Sequence, residues 1–263
     1  MKKLAIIGLG FIGQTVIDAI NSQKIGYQIQ AIYDIDEKAI EKVQTRLKNV
    51  RVMKNLSDFY DCDVVIECAV QSVVEKIFDK VLENNIYFIP MSIGAFVTNE
   101  SLYLKYQNLN AEKKKFILLP SGAIGGFDSI SAIALEGLNT VVLETRKPYH
   151  VFEKNAYVLK NNIHLNENKE TIIFEGNAKE AAKQFPRSIN VAARLSLATL
   201  GREETRVRIL SDPTIKQNIH RILIESKVGS YEFVFKNKPS PTNPKTSWLA
   251  ALSLISFLRK IQD

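Results

Sequence analysis

The chain has little of what usually marks a reactive centre. Of its 263 residues, two are cysteine and three are histidine. Cys62 and Cys68 form neither a C-x-x-C pair nor a Cys/His ligand spacing, which argues against zinc. Both read as small core residues of a reducing compartment. No Asp/His/Glu cluster at ligand spacing is visible, so no metal is expected. There is no G-x-S-x-G elbow and no Cys/His nucleophile arrangement. No apolar run reaches membrane-spanning length. Lys2-Lys3 before an apolar run imitates a secretory leader, but the run is short, broken by glycine and without a small-residue cleavage site. A cytoplasmic protein is expected. Internal repeats and low-complexity tracts are absent.

Charge of one sign is also never concentrated. Lys and Arg number 35 against 28 Asp and Glu, a net +7, spread along the chain apart from Lys113-Lys114-Lys115. Without a basic face interleaved with aromatics, nucleic acid is not an expected partner. A diffuse positive field suits small anionic ligands.

What is present begins at once. Leu4 to Ile7 is an apolar run that breaks into Gly8-Leu9-Gly10-Phe11-Ile12-Gly13. This G-x-G-x-x-G spacing suits a buried strand turning into a helix beneath a dinucleotide. Gly8 permits the turn, Gly10 lets backbone approach a pyrophosphate, and Gly13 lets the helix pack close, with its N-terminal N–H groups facing the phosphates. A second apolar run, 27–33, ends in Asp34, about twenty residues past the last glycine, where a carboxylate binds ribose hydroxyls. No Arg follows at 35–37, so NAD is expected over NADP.

Strand and helix then alternate. Strands are expected at 3–7, 28–33, 50–53, 64–68, 87–91 and 115–119, with helices at 11–21, 36–47, 73–84 and 99–107. Such alternation predicts a doubly wound parallel sheet. After Pro120 the pattern changes to helices at 128–138, 178–185 and 189–200 and strands at 140–145, 171–175, 205–210, 221–226 and 231–236, with a turn at Val228-Gly229. Strands with fewer crossovers predict a mixed or antiparallel sheet backed by helices. Residues 239–244 are Pro-rich and break the chain. A strongly apolar helix at 246–261 should then return to the first sheet. The expected fold is therefore α/β: a Rossmann domain at 1–119 completed by 240–263, and a second, α+β domain at 120–239.

Four segments of the second half carry polar groups worth following. Pro120 to Asp128 holds three glycines between a strand and a helix, exposing the N–H groups around Ala123. In Phe185 to Ala193, Ser188 suits an N-cap, whereas Asn190 is a polar side chain in an apolar first turn. In Asp212 to His220, His220 starts a strand, where a side chain is held firmly and still faces a cleft. Its ring exchanges protons near neutral pH, as hydride transfer to or from an amine or alcohol carbon requires. In Asn243 to Ser247, Lys245 beside a helix N-terminus suits a carboxylate, and Thr246 suits a cap.

Several stretches together resemble the L-aspartate dehydrogenase family: GLGFIG at 8–13, VIECAV at 65–70, MSIGAF at 91–96, LPSGAIGGFDSI at 119–130, FEGNAKEAAKQFPRSINVAA at 174–193, SDPTIKQNIH at 211–220 and NPKTSWLAALSLI at 243–255. The resemblance implies NAD(P)-dependent oxidation of L-aspartate to iminoaspartate, which yields oxaloacetate and ammonia, and the reverse amination. It implies His220 as the active-site residue. Gly8, Gly10, Phe11, Ile12, Gly13 and Asp34 are then cofactor-binding, with the nicotinamide near Ala69, Ser92, Ala123 and Asn190. Ser188, Asn190, Lys245 and Thr246 are expected at the substrate. The resemblance also implies that the second domain, 120–239, carries the substrate site and the interface of a homodimer, and that iminoaspartate is handed to a quinolinate-forming enzyme for NAD biosynthesis. The family commonly has Asn where this chain has Ser188, and a hydroxyl does not reproduce an amide's paired donor and acceptor. Two alternatives stay open: a dehydrogenase on the same plan acting on homoserine, dihydrodipicolinate or another small acid, and a non-catalytic dinucleotide sensor.

Overall fold

The computed structural model describes residues 1–47, 49–186, 189–240 and 247–262. These form two compact units, Met1–Gly122 with Ala250–Asp263, and Ala123–Leu249.

The first unit starts with β1 (Lys2–Ile7), α1 (Phe11–Asn21), β2 (Tyr27–Tyr33), α2 (Glu37–Gln44), β3 (Arg51–Val52) and β4 (Val64–Glu67). It continues through α3 (Gln71–Glu83), β5 (Tyr87–Pro90), α4 (Ala95–Thr98), α5 (Glu100–Gln107) and α6 (Ala111–Lys114). All strand pairs are parallel, in the order β3-β2-β1-β4-β5, so the order reverses between β1 and β4. β4 is apolar apart from its last residue and buried throughout, as a central parallel strand must be. Side chains cap the starts of α2 and α5: Asp36 accepts from the Lys38 N–H and Asn99 from the Leu102 N–H. The run 115–119 does not form the expected strand. Only Ile117 bridges Phe88, because α6 and its turn consume the chain up to Lys115 and Pro120 follows closely.

The second unit holds α7 (Phe127–Ala134), β6 (Leu138–Pro148), a 3₁₀ turn at Tyr149–Val151, α8 (Ala156–Lys160), β7 (Thr171–Asn177), α9 (Ala178–Gln184) and α10 (Asn190–Leu197). β8 (Arg206–Asp212), β9 (Asn218–Ser226) and β10 (Gly229–Asn237) follow, and α11 (Trp248–Ile261) ends the chain. The sheet order is β10-β9-β6-β8-β7, with β6 and β8 parallel and every other pair antiparallel. The parallel-plus-mixed α/β architecture matches the sequence expectation. β9 starts at Asn218 rather than 221, so His220 lies inside the strand. Ser226 pairs with Gly229, which makes Lys227-Val228 the hairpin loop instead of Val228-Gly229.

In the first unit Leu254 and Leu258 of α11 join a core with Leu4, Ile6, Val16, Ile17, Tyr27 and Ile66. The Tyr27 hydroxyl donates to the Leu258 carbonyl at 2.8 Å, and Lys2 Nζ to that of Ile261 at 2.5 Å.

Candidate active site

The carboxyl ends of β1, β2, β4 and β5 gather one group of the expected residues. Gly8 has φ +95°, and its N–H donates to the Tyr33 carbonyl at 2.8 Å. A Cβ there would lie 2.6 Å from the Cys68 carbonyl carbon; a Cβ on Gly13 would lie 2.1 Å from the Gly8 oxygen. Both positions accept only hydrogen. Gly10 differs: nothing lies within 4 Å of its would-be Cβ. It precedes α1 as N-cap without a side-chain cap, so the amides of Phe11, Ile12 and Gly13 open the helix with no side chain across them. Asp34 closes this turn, its carboxylate accepting from the Leu9 N–H at 2.6 Å and the Asp36 N–H at 3.0 Å.

On the other side of the switch point the centre is Glu67, which sequence reasoning passed over. It is fully buried and ends β4. One carboxylate oxygen accepts from the Ala69 N–H at 2.7 Å and the Ser92 Oγ–H at 2.9 Å; the other accepts from the Ser92 N–H at 3.0 Å. Burial pushes its pKa up to about 7, against the lowering effect of these donors. Ala69 and Ser92 thus meet on one carboxylate. An acid closing an otherwise apolar four-residue strand was the available signal.

The donor set fits a dinucleotide. Uncapped amides at a helix start suit a pyrophosphate, the open space over Gly10 admits it, and Asp34 stands where an adenosine ribose is bound in such folds.

Of the remaining expected residues, the second unit holds His220, Ala123 and Asn190. On the sheet, His220 pairs with Thr145 of β6 and Phe235 of β10. Its Nδ1 lies 3.0 Å from Thr145 Oγ1, and the side chain is buried. Burial, then the nearby Lys147 charge, push its pKa down to about 4. The near-neutral titration expected from sequence is therefore displaced, because a buried ring beside a cation is penalised twice for protonation. Lys147, two residues beyond Thr145 on the same face of β6, was also passed over; burial lowers its pKa. The strand segment Thr145-Arg146-Lys147-Pro148 carried no motif to expose it. A cavity of about 60 Å³ beside these groups is lined by Thr145, Lys147, Asn155 and Ile189, among others. Ile189 is the N-cap of α10, the position the sequence had suggested for Ser188. Asn190, exposed, is the first residue of that helix.

The loop at 123–126 lies on β10. Asn237 Nδ2 donates to the Ala123 carbonyl at 2.7 Å, and a Cβ on Gly126 (φ +75°) would lie 2.8 Å from the Phe233 ring. Ala123 and His220 are thus brought to adjoining strands of one sheet, β10 and β9. Ser188, Lys245 and Thr246 lie outside the described residues. Among the described residues no metal-holding cluster occurs and no helix is long and apolar enough to cross a membrane.

Comparison with known proteins gives this geometry a lineage. Residues 8–120 match the family model described as homoserine dehydrogenase, NAD binding domain, and residues 128–261 that described as aspartate dehydrogenase, C-terminal. An L-aspartate dehydrogenase of Methanococcoides burtonii is 38% identical over 100% of this chain and 98% of its own. That of Methanosarcina mazei is 40% identical over 99% of this chain and 97% of its own. The crystal structure of aspartate dehydrogenase from Thermotoga maritima superposes with a TM-score of 0.75 at 28% identity, covering 100% of this chain and 97% of that one. The chain belongs to the L-aspartate dehydrogenase family, and it is an oxidoreductase with a dinucleotide-binding unit.

Proposed function

We propose that this chain oxidises L-aspartate to iminoaspartate with NAD and runs the reverse reductive amination of oxaloacetate with ammonia. The observation that carries the reading is His220: a buried imidazole, neutral at physiological pH, hydrogen-bonded through Nδ1 and flanked by a half-buried lysine in the unit that matches the aspartate dehydrogenase model.

NAD, when bound, supplies the hydride chemistry. The chain's own groups bind, orient and move protons. The amides after Gly10 hold the pyrophosphate and Asp34 the adenosine ribose. Asp34 also favours NAD, since a carboxylate repels a 2′-phosphate. Ala69, Ser92, Ala123 and Asn190 are the proposed nicotinamide contacts. Aspartate is dianionic at its carboxyl groups. Lys147 is one proposed carboxylate partner, with Ser188, Asn190, Lys245 and Thr246 from the sequence reading. The substrate ammonium must shed a proton before hydride leaves the α-carbon. In the tautomer whose Nδ1–H donates to Thr145 Oγ1, Nε2 of His220 presents the lone pair that takes it. A substrate carboxylate arriving beside Lys147 offsets that cation and raises the ring's basicity.

The cytoplasm is the proposed compartment, supported by two free cysteines. A homodimer is the proposed assembly, supported by Ile219, Leu223 and Val234 sharing one face of the second sheet. Iminoaspartate hydrolyses readily, so hand-off to a quinolinate-forming enzyme is the proposed fate. The test is NADH consumption by purified protein. Consumption that needs both oxaloacetate and ammonia supports the reading. Tight NADH binding without turnover on any acid of a panel, homoserine and dihydrodipicolinate precursors included, overturns it in favour of a sensor.

A further inference from the structure

Glu67 is a fully buried carboxylate with no ion pair among the described residues. Three donors hold it, and all three belong to turns at the carboxyl ends of the sheet: the Ala69 N–H after β4, and the Ser92 N–H and hydroxyl after β5. The peptide it fixes, Cys68–Ala69, is the one against which Gly8 packs. Glu67 therefore sits at the switch point between β1 and β4, where doubly wound sheets bind their ligands. Once Asp34 at the end of β2 takes the adenosine ribose, the half of the sheet left for the nicotinamide is β4 and β5. A buried carboxylate without a cation is costly, and the oxidised nicotinamide ring is a cation while the reduced ring is neutral.

We propose that the Glu67 carboxylate discriminates the redox state of the cofactor: ionised, it favours the cationic oxidised ring over the neutral reduced one, and so sets the ratio of the affinities for NAD⁺ and NADH. The inference rests on the dinucleotide reading of the first unit. Its consequence is a coupling of cofactor exchange to pH. Burial holds the group's pKa at about 7, so NAD⁺ binding draws a proton off Glu67 and strengthens as pH rises through that value, while NADH binding does not. The other ionisable groups at these strand ends do not compete. Ile7 on β1 and Pro90 and Met91 on and after β5 do not titrate. The first turn of α3 and the short α4 carry no acidic or basic residue. The Cys68 thiol is pushed well up, first by burial and then by Glu67 itself. The Asp34 carboxylate is engaged by the Leu9 N–H after β1 and the Asp36 N–H of its own turn.

The experiment measures dissociation constants of NAD⁺ by calorimetry and of NADH by fluorescence on the whole chain, from about pH 5.5 to about pH 9. For the unaltered protein, NAD⁺ affinity should rise roughly tenfold across the transition and NADH affinity stay within about threefold. In Glu67→Gln the NAD⁺ affinity should lose its pH dependence and sit roughly tenfold low at alkaline pH, with NADH unchanged. Ser92→Ala removes one donor to the carboxylate and should move the transition to higher pH. It keeps both backbone donors, so it carries the test should Glu67→Gln fail to fold. Equal weakening of both cofactor forms in Glu67→Gln, a pH-independent NAD⁺ affinity in the unaltered protein, or an unmoved transition in Ser92→Ala overturns the proposal. Binding of neither form by the unaltered protein overturns the dinucleotide reading, and the inference with it.

Discussion

The two units bury one ionisable side chain each among the groups of the candidate site, and burial acts on them in opposite chemical senses. In the parallel-sheet unit Glu67 is pushed up to about 7; in the mixed-sheet unit His220 is pushed down to about 4. The cause is the same, loss of water around the charged form. The difference lies in the neighbours. Three donors stabilise the ionised Glu67 and keep its titration within the physiological range. His220 has a single hydroxyl on Nδ1 and a cation beside it, so it stays neutral until something anionic arrives. One unit is thereby tuned to the charge of a ring, the other to the charge of an acid.

The largest effects come from the glycines, whose surroundings differ between the units. Gly13→Ala drives a Cβ to 2.1 Å from the backbone oxygen of Gly8 and should cost more than about 4 kcal/mol, enough to prevent folding of the first unit. Gly126→Ala in the second unit meets the Phe233 ring at 2.8 Å with φ +75°, a ring edge that can shift, and should cost about 1–3 kcal/mol. Gly10→Ala, with open space around it, should leave stability within about 1 kcal/mol and weaken NAD binding instead. Urea unfolding and cofactor titration check the three. Equal losses of stability for Gly10→Ala and Gly13→Ala would break the cradle described for α1.

The pH dependence of stability has opposite sign in the two units. Glu67 rises from 4.5 to about 7 on folding, so its unit is most stable in acid and loses about 3 kcal/mol as pH climbs through that window. His220 falls from 6.5 to about 4, so its unit loses about 3 kcal/mol as pH drops through that window. Between pH 4.5 and 6.5 the two slopes cancel in the whole chain. Unfolding titrations should show stability rising with pH there in Glu67→Gln and falling in His220→Asn. The same slope in both variants would contradict the assignment.

Smaller effects separate the ligands. Lys147→Met should raise KM for aspartate about 10- to 100-fold and leave NAD affinity unchanged, since it removes a carboxylate partner. Asp34→Ser should relax the preference for NAD over NADP by about tenfold, read from kcat/KM with each cofactor. A loss of NAD binding in Lys147→Met would place that lysine in the wrong role.

The sequence showed local devices well and distant ones poorly. The glycine spacing, the helix starts at Asp36 and Asn99 and the apolar β4 are all written within a few residues of chain. Strand extents were not: β6 and β9 run further than their apolar runs because pairing with neighbours far along the chain recruits polar residues such as Lys147 and Asn218. Residues 115–119 look like a strand locally and make only a bridge. His220 was legible as a candidate, but its pKa depends on Thr145 and Lys147 from another strand. Glu67 was legible only as an oddity until Ser92, 25 residues on, came to meet it.

The division of labour between the units is tested most directly by His220→Asn, with kcat for reductive amination and the NADH dissociation constant measured on one preparation. A fall in kcat of about 10²- to 10⁴-fold with NADH affinity unchanged is the predicted result, the size of a lost proton carrier. Full activity, or a loss confined to NADH binding, would contradict it.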